Sequence, residues 1–189
     1  MNFILASGSE RRKELLSRII DNYDIIVSKF NEAEVKLESD VSNYVKDIAL
    51  GKAQDVSSRV SSDNIIIAAD TIVTFNYEIL GKPKDETDAF RMLKLLSGKW
   101  HKVYTSIVII NNSTNKTIKD VQLTEVKFSE LTDDDILKYI KTGEPLDKAG
   151  AYGIQGLGGI FVEQIKGCYY NVVGMSLNKL SLMLKEICK

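Results

Sequence analysis

The chain has 189 residues, with 25 Lys and Arg against 26 Asp and Glu, and a formal net charge of −1. This length predicts one domain over residues 1–189. A hydrophobic content of 44% excludes a disordered chain. The balanced charge argues against a nucleic-acid binder, which normally presents a basic face.

Neither a membrane span nor an export signal is expected. No run of the chain approaches the roughly 18 apolar residues that a spanning helix needs. The short apolar run at the N-terminus lacks basic flanks. Cys168 and Cys188 resemble neither a disulfide framework nor a zinc site. We therefore expect a cytoplasmic protein.

Apolar spacing predicts strands and helices that interleave along the chain. In the first part they are a strand at Phe3–Ala6, a helix at Arg11–Ile20, a strand at Tyr23–Val27, an irregular Ser28–Asp40 and a helix capped by Ser42 that ends near Val60. In the second part they are strands at Asn64–Phe75 and Ile79–Leu80, a helix at Asp85–Ser97, strands at His101–Asn111 and Thr117–Phe128, a helix capped by Thr132, a glycine-rich loop at Thr142–Gly159, a strand at Ile160–Ile165 and a helix at Ser176–Ile187. Two antiparallel hairpins favour an α/β fold with a mixed sheet.

The break between the first strand and the first helix is typical of an anion site. Gly8 allows close approach of backbone, and the N–H groups at a helix start carry partial positive charge. Arg11 and Arg12 add donors that suit phosphate oxygens. The alternative is a surface helix with two solvated arginines, and the pattern alone favours neither.

Asp70 is the only charged residue in a nine-residue apolar run. An unpaired carboxylate there would cost several kcal/mol, so Asp70 is expected to be paired, exposed by a bend or bound to a cation. A local turn contact is the alternative to a functional role. Isolated acids in core strands mark sites more often than not.

Lys52 lies in the middle of the apolar stripe of its predicted helix, four residues after Ile48 and seven after Val45. It either snorkels to the edge or points into an anion site, and the pattern leaves both open.

Two further polar residues lie in loops. Lys82 stands between a glycine and a proline at the end of a hairpin, which is weak as a signal by itself. Gln155 stands in the glycine-rich loop, and its amide offers both a donor and an acceptor, as a nucleobase edge does. The alternative is a surface amide. His101, the single histidine, is interpreted as structural.

These cations, the isolated acid and the amide suit a polyphosphate, a divalent metal and a base. No phosphate-binding loop of the Gly-x-x-x-x-Gly-Lys-Ser/Thr type is present in the sequence.

Four segments in order resemble the Maf family of nucleoside triphosphate pyrophosphatases, and the likeness runs from about residue 3 to the last helix. They are Leu5–Leu16, Ala69–Val73, Gly81–Pro83 and Asp147–Gly156. The last segment resembles the branch of the family that acts on dTTP and UTP.

The resemblance implies hydrolysis of a nucleoside triphosphate between its α and β phosphorus atoms, with Mg²⁺ or Mn²⁺. It also implies an elongated, curved mixed sheet flanked by helices, with a deep cleft between two lobes, similar to inosine triphosphate pyrophosphatases. A homodimer that acts on free nucleotides, and binds neither nucleic acid nor membrane, is expected.

By position, the resemblance gives each candidate residue a role. Asp70 matches the catalytic proton acceptor and, with Glu32, a metal-contacting position. The positions associated with choice of base are matched by Arg11, Thr71 and Gln155. Phosphate-contacting positions are matched by Ser7, Arg12, Lys52 and Lys82. Glu34 is a nearby rival to Glu32.

One residue departs from the family pattern. Glu10 stands where the family commonly has proline, and an acid there would weaken phosphate binding unless it points away. The alternatives to dTTP and UTP are a modified pyrimidine nucleotide, a deaminated purine nucleotide or 7-methyl-GTP. An alternative of another class is a non-enzymatic, nucleotide-binding regulator of septum formation.

Overall fold

The computed structural model describes residues 2–37 and 40–189. The strands are β1 (Asn2–Leu5), β2 (Asp24–Ile25), β3 (Asn64–Phe75), β4 (Glu78–Leu80), β5 (Trp100–Asn111), β6 (Lys116–Phe128) and β7 (Val162–Lys166). The α-helices are α1 (Glu10–Ser17), α2 (Val41–Ser57), α3 (Glu86–Leu96), α4 (Asp133–Ile140), α5 (Tyr169–Val173) and α6 (Leu177–Ile187). Short 3₁₀ turns occur at Glu32–Glu34, Glu144–Asp147, Ala149–Ala151 and Leu157–Phe161.

The strands form a mixed sheet in the order β2-β1-β3-β5-β6-β7, with β4 paired to β3. β1 is parallel to both β2 and β3. The β3–β4 and β6–β7 pairs are antiparallel. The predicted α/β class with a mixed sheet and flanking helices is therefore confirmed. The predicted cleft stays a prediction.

The chain divides into two compact units, so that the expected single domain also stays a prediction. The first unit holds the residues up to Asp70 with Thr105–Gln122 and Gly174–Lys189, and the second holds Thr71–Tyr104 and Leu123–Val173. Within the described part of the chain, no helix combines the length and the apolar character needed to cross a bilayer.

The core of the first unit forms where α2 covers one face of the sheet. Alternate residues of β1 and β3, such as Ile4 and Ile66, contact the helix positions Ala49, Ala53 and Val56. Their sequence neighbours point to the opposite face, because side chains alternate along a strand. Those neighbours are equally buried, which explains why β3 has an apolar run instead of an alternating pattern. This packing fixes the direction in which α2 presents Lys52.

Aromatic side chains form a contact cluster within the core of the second unit. Phe128 makes edge-to-face contacts with His101 and Tyr152, at centroid distances of 4.9 and 4.7 Å. The Nε2 atom of His101 lies 2.8 Å from the Tyr152 hydroxyl oxygen. His101 is buried in this cluster, in agreement with the structural role predicted for it.

Burial lowers the pKa of His101 from 6.5 to about 4, because the charged imidazolium would lose its hydration. We expect the free energy of unfolding to fall by about 3 kcal/mol as the pH is lowered from 7 to 4. Over this range His101 is protonated in the unfolded state but stays largely neutral in the folded state. Carboxylates also contribute to acid unfolding, so the measurement compares denaturant unfolding of the wild type and His101→Phe across this range. The two stability curves should converge at low pH, and parallel curves would refute a buried neutral histidine.

Two details differ from the sequence-based predictions. The cap of α2 is Asp40, whose side chain accepts a hydrogen bond from the Ser42 N–H, so the predicted cap at Ser42 is wrong. A carboxylate also interacts better than a hydroxyl with the positive end of a helix. α5 was not predicted, because five residues ending in two β-branched valines have weak helix propensity. The other helix and strand boundaries differ from the predicted ones by a few residues, within the usual fraying of ends.

Candidate active site

The loop between β1 and α1 brings a serine and an arginine together at the start of a helix. Ser7 Oγ accepts hydrogen bonds from the Ser9 N–H at 3.2 Å and from Arg12 Nη1 at 3.4 Å. Arg12 Nε donates to the Gly174 carbonyl oxygen at 3.2 Å. Arg12 is therefore tied into the fold and is not a solvated surface arginine. Ser9, the cap residue of α1, makes no side-chain capping bond.

The acid that replaces the family's proline lies on the outer side of this helix. Glu10 pairs with Lys13 at 2.7 Å, and its side chain is 84% exposed. The carboxylate is thus held by a neighbouring cation on the helix surface. An acid at this position would weaken phosphate binding only if it pointed inward. Glu10 points outward.

Asp70, Lys52 and Glu32 form a charge cluster in the first unit. Lys52 Nζ lies 2.6 Å from Asp70 Oδ1 and 2.8 Å from Glu32 Oε1. The side chains of Lys52 and Asp70 are only 14% and 10% exposed, while that of Glu32 is 55% exposed. Lys52 therefore points inward instead of snorkelling to the edge, while the anion site that it was predicted to face stays a prediction. Asp70 is paired, as the burial argument required.

Asp70 interacts electrostatically with Lys52, Glu32 and also Arg12. Burial raises the pKa of the Asp70 carboxyl, although the positive charges of Lys52 and Arg12 partly oppose that effect. Burial lowers the pKa of the Arg12 guanidinium, and the charge of Asp70 opposes this in turn. Asp70, Lys52, Glu32 and Arg12 thus belong to one electrostatic environment.

The short loop that carries Glu32 is fastened to α2 at two points. Asp55 accepts hydrogen bonds from Ser28 Oγ at 2.9 Å and from the Lys29 N–H at 2.8 Å. One turn earlier, the Phe30 ring lies over Gly51 so closely that a Cβ there would be 2.4 Å from the ring. These contacts place Glu32 beside Lys52. Glu34 instead accepts a hydrogen bond from Asn31 at 3.2 Å, which favours Glu32 over its rival.

The attachment of the Glu32 loop to α2 was not predicted from the sequence. Gly51 was the available signal, because a glycine inside a helix costs up to about 1 kcal/mol relative to alanine and then often marks a close approach.

Of the remaining candidates, Thr71, Lys82 and Gln155 lie in the second unit and Arg11 lies in the first. Thr71 follows Asp70 directly in β3. Lys82 is exposed in the turn after β4, where the Gly81 carbonyl oxygen accepts a hydrogen bond from the Gly150 N–H at 3.0 Å. Gln155 is exposed at the corner of a turn in the glycine-rich loop. Arg11, in α1 of the first unit, is half-buried.

No group of three or more His, Cys, Asp or Glu side chains arranged to hold a metal ion occurs among residues 2–37 and 40–189. The two predicted metal ligands, Glu32 and Asp70, nevertheless converge on one ammonium group. The two carboxylates thus face one positive charge, which Lys52 supplies here. Mg²⁺ commonly binds through only one or two carboxylates, with phosphate oxygens and water as further ligands. The donor set therefore fits such an ion when a polyphosphate is present.

Comparisons with known proteins identify the family and support the fold. The model of the family described as Maf-like protein matches residues 2–187. A dTTP/UTP pyrophosphatase from Clostridium beijerinckii is 62% identical over 187 residues, which cover 99% of this chain and 100% of the relative. Another from Clostridium tetani is 56% identical over 188 residues, covering 99% and 98% of the two chains.

Among solved structures, a HAM1 protein from Coxiella burnetii aligns over 98% of this chain and 99% of its own, with a TM-score of 0.51 and 15% identity. That likeness concerns the fold alone. The family model and the two close relatives, each spanning nearly the whole chain, show that this protein belongs to the Maf-like family.

Proposed function

We propose that this protein is a nucleoside triphosphate pyrophosphatase that hydrolyses dTTP and UTP to the monophosphate and pyrophosphate. The observation that carries the proposal is the Asp70–Lys52 ion pair, largely buried and joined by the more exposed Glu32, in one electrostatic environment with Arg12. Its substrates are those in the names of relatives that are up to 62% identical along the whole chain.

In the proposed reaction, Asp70 accepts a proton from the water that attacks the α-phosphorus. A carboxylate whose Oδ1 is fixed 2.6 Å from Lys52 Nζ is held in one orientation, as a general base must be. Lys52 balances its charge before the proton arrives. As the water oxygen bonds to the α-phosphorus, the bond from the α-phosphorus to the bridging oxygen breaks. The pyrophosphate leaves with that oxygen and the electron pair, and nearby cations stabilise its added charge.

The triphosphate is bound by groups that the fold holds in place. Arg12 and Ser7, with the N–H groups at the start of α1, present donors to phosphate oxygens. Glu32 and Asp70 are the residues that would hold Mg²⁺ or Mn²⁺. Such an ion supplies positive charge to the triphosphate and polarises water. Lys82 is proposed as a further phosphate contact.

Base selection is assigned to Gln155, Arg11 and Thr71. Within the described part of the chain, nothing hydrogen-bonds the Gln155 amide, which leaves it available to a ligand. Its donor and acceptor match the exocyclic oxygen and ring N–H of thymine or uracil. A base that leaves these groups unpaired is rejected strongly. The proposal also includes a cytoplasmic homodimer, which stays a prediction.

The experiment is pyrophosphate release by purified protein with Mg²⁺ or Mn²⁺ across dTTP, UTP, CTP, GTP, ITP and 7-methyl-GTP. We expect release from dTTP and UTP, and a loss of preference between UTP and CTP in Gln155→Ala. Release from 7-methyl-GTP, ITP or GTP alone would assign the reaction to another base. No release from any nucleotide, with binding retained, would favour the regulator of septum formation.

A further inference from the structure

The turn that carries Gln155 is held at both ends by two side chains from outside it. The turn runs from Gly153 to Gly156, and the Gly156 N–H donates to the Gly153 carbonyl oxygen at 3.2 Å. Gln155 occupies one of its two corner positions and is exposed. A corner residue keeps a fixed direction only if the flanking backbone is itself fixed.

Glu144 fixes the backbone that follows the turn. Its Oε2 accepts a hydrogen bond from the Leu157 N–H at 2.9 Å, and its Oε1 accepts one from the Gly158 N–H at 3.2 Å. Tyr139 fixes the backbone before the turn, because its hydroxyl oxygen accepts a hydrogen bond from the Gly153 N–H at 3.2 Å. The same hydroxyl donates to Glu144 Oε1 at 2.8 Å, which joins the two anchors.

The glycines around the turn leave room for these anchors. A Cβ at Gly156 would lie 2.4 Å from Glu144 Oε1, and one at Gly158 would lie 2.6 Å from the Tyr139 hydroxyl oxygen. At Gly153 the corresponding distance to Glu144 Oε1 is 3.1 Å. Contact with the anchors, and not looseness of the loop, therefore accounts for three glycines of this segment.

Packing holds Tyr139 in place, and Glu144 is a charged acceptor. Tyr139 is buried in α4 and stacks edge-on against Phe161 at a centroid distance of 5.0 Å. Burial alone would raise the pKa of the Glu144 carboxyl, but the hydrogen bonds from Leu157, Gly158 and Tyr139 outweigh it and lower that pKa. Glu144 is thus a carboxylate at neutral pH, and charged acceptors make the stronger hydrogen bonds.

We propose that Glu144, supported by Tyr139, is a positioning residue that sets base selectivity. It holds the Gln155 turn in the conformation that presents the Gln155 amide to the base. This inference rests on the proposed function, because it takes Gln155 to contact the base. Glu144 itself does not touch the nucleotide in this proposal.

The test is Glu144→Gln, which keeps the shape of the side chain but puts an NH₂ group against backbone donors. A hydrogen bond to a charged group is worth about 1.5–3 kcal/mol, so we expect the preference for UTP over CTP in kcat/KM to fall by about 10- to 100-fold. The loss should lie mainly in KM. The amide hydrogens of Leu157 and Gly158 should also exchange faster, because glutamine keeps only one uncharged acceptor oxygen where the carboxylate has two charged ones. Tyr139→Phe should have a smaller effect, with faster exchange at Gly153.

A matched control is Glu163→Gln, which makes the same substitution in the same unit and removes only an exposed ion pair with Lys127 at 2.8 Å. Its selectivity should equal that of the wild type. The UTP-to-CTP ratio is measured on one preparation, so partial unfolding of a variant cancels. An unchanged ratio in Glu144→Gln, with a selective wild type, would overturn the inference alone. A wild type that is inactive or unselective would overturn the proposed function instead.

Discussion

Replacing Asp70 with asparagine should lower kcat by about 10²- to 10⁴-fold, the range that a general base contributes. The amide has nearly the shape of the carboxylate and can still accept a hydrogen bond from Lys52 through its oxygen, but it cannot take a proton from water. Single-turnover measurement of pyrophosphate release from dTTP checks this. Binding of dTTP, measured by calorimetry, should survive because the groups around Arg12 and Ser7 are unchanged.

A second aspartate–lysine pair of the first unit provides the control for this variant. Asp120 pairs with Lys179 at 2.9 Å, and the two side chains are 37% and 34% exposed. Asp120→Asn makes the same chemical change at the protein surface and should leave turnover at the wild-type level. Normal turnover by Asp70→Asn would remove Asp70 from the catalytic role.

Lys52→Met should reduce both activity and stability by large amounts. The methionine keeps most of the apolar stem but leaves Asp70 buried without the ammonium that now lies 2.6 Å from it. Breaking a buried ion pair by removing one partner costs about 3–5 kcal/mol. Loss of a preorganised positive group beside the reacting phosphates should lower kcat by about 10²- to 10³-fold. Denaturant unfolding and steady-state kinetics measure the two effects.

A double variant shows where the lost stability comes from. If the cost of Lys52→Met is the uncompensated charge of Asp70, then adding Asp70→Asn should restore most of the stability but none of the activity. Lys179→Met, the matched change at the exposed pair, should cost no more than about 1 kcal/mol. Additive losses in the double variant would contradict the pairing as the source of the effect.

The order of strands and helices follows from local patterns that can be seen in the sequence. β3 was predicted with the bounds that it has, because twelve residues of mostly apolar character between polar breaks allow little else. The Thr132 cap was also predicted, and its capping bonds with Asp135 are present. α5 escaped prediction because its stability comes from the buried Asn171, which donates to the Val103 carbonyl oxygen at 3.1 Å, a contact between distant residues.

The candidate site was predictable one residue at a time but not as an arrangement. Asp70 and Lys52 each stood out as charges at apolar positions, yet their contact depends on how α2 packs on β3. Glu32 could be identified only through family resemblance, since its loop is oriented by contacts to Asp55 and Gly51. Glu144 lies within the predicted glycine-rich loop but was not singled out from the sequence. Its partners are backbone N–H groups, which leave no trace in a sequence pattern.

The positions in and around the Gln155 turn differ in how freely they can be substituted. This difference affects how nucleotide preference can change in evolution. Gly153, Gly156 and Gly158 are constrained by the space that Glu144 and Tyr139 occupy, whereas residue 155 is exposed and does not have a positive φ. Mutations at this position therefore meet fewer steric constraints than mutations at the three glycines. Under the proposed function, a new nucleotide preference is then within reach of a single codon change, while the scaffold that presents the new side chain stays intact.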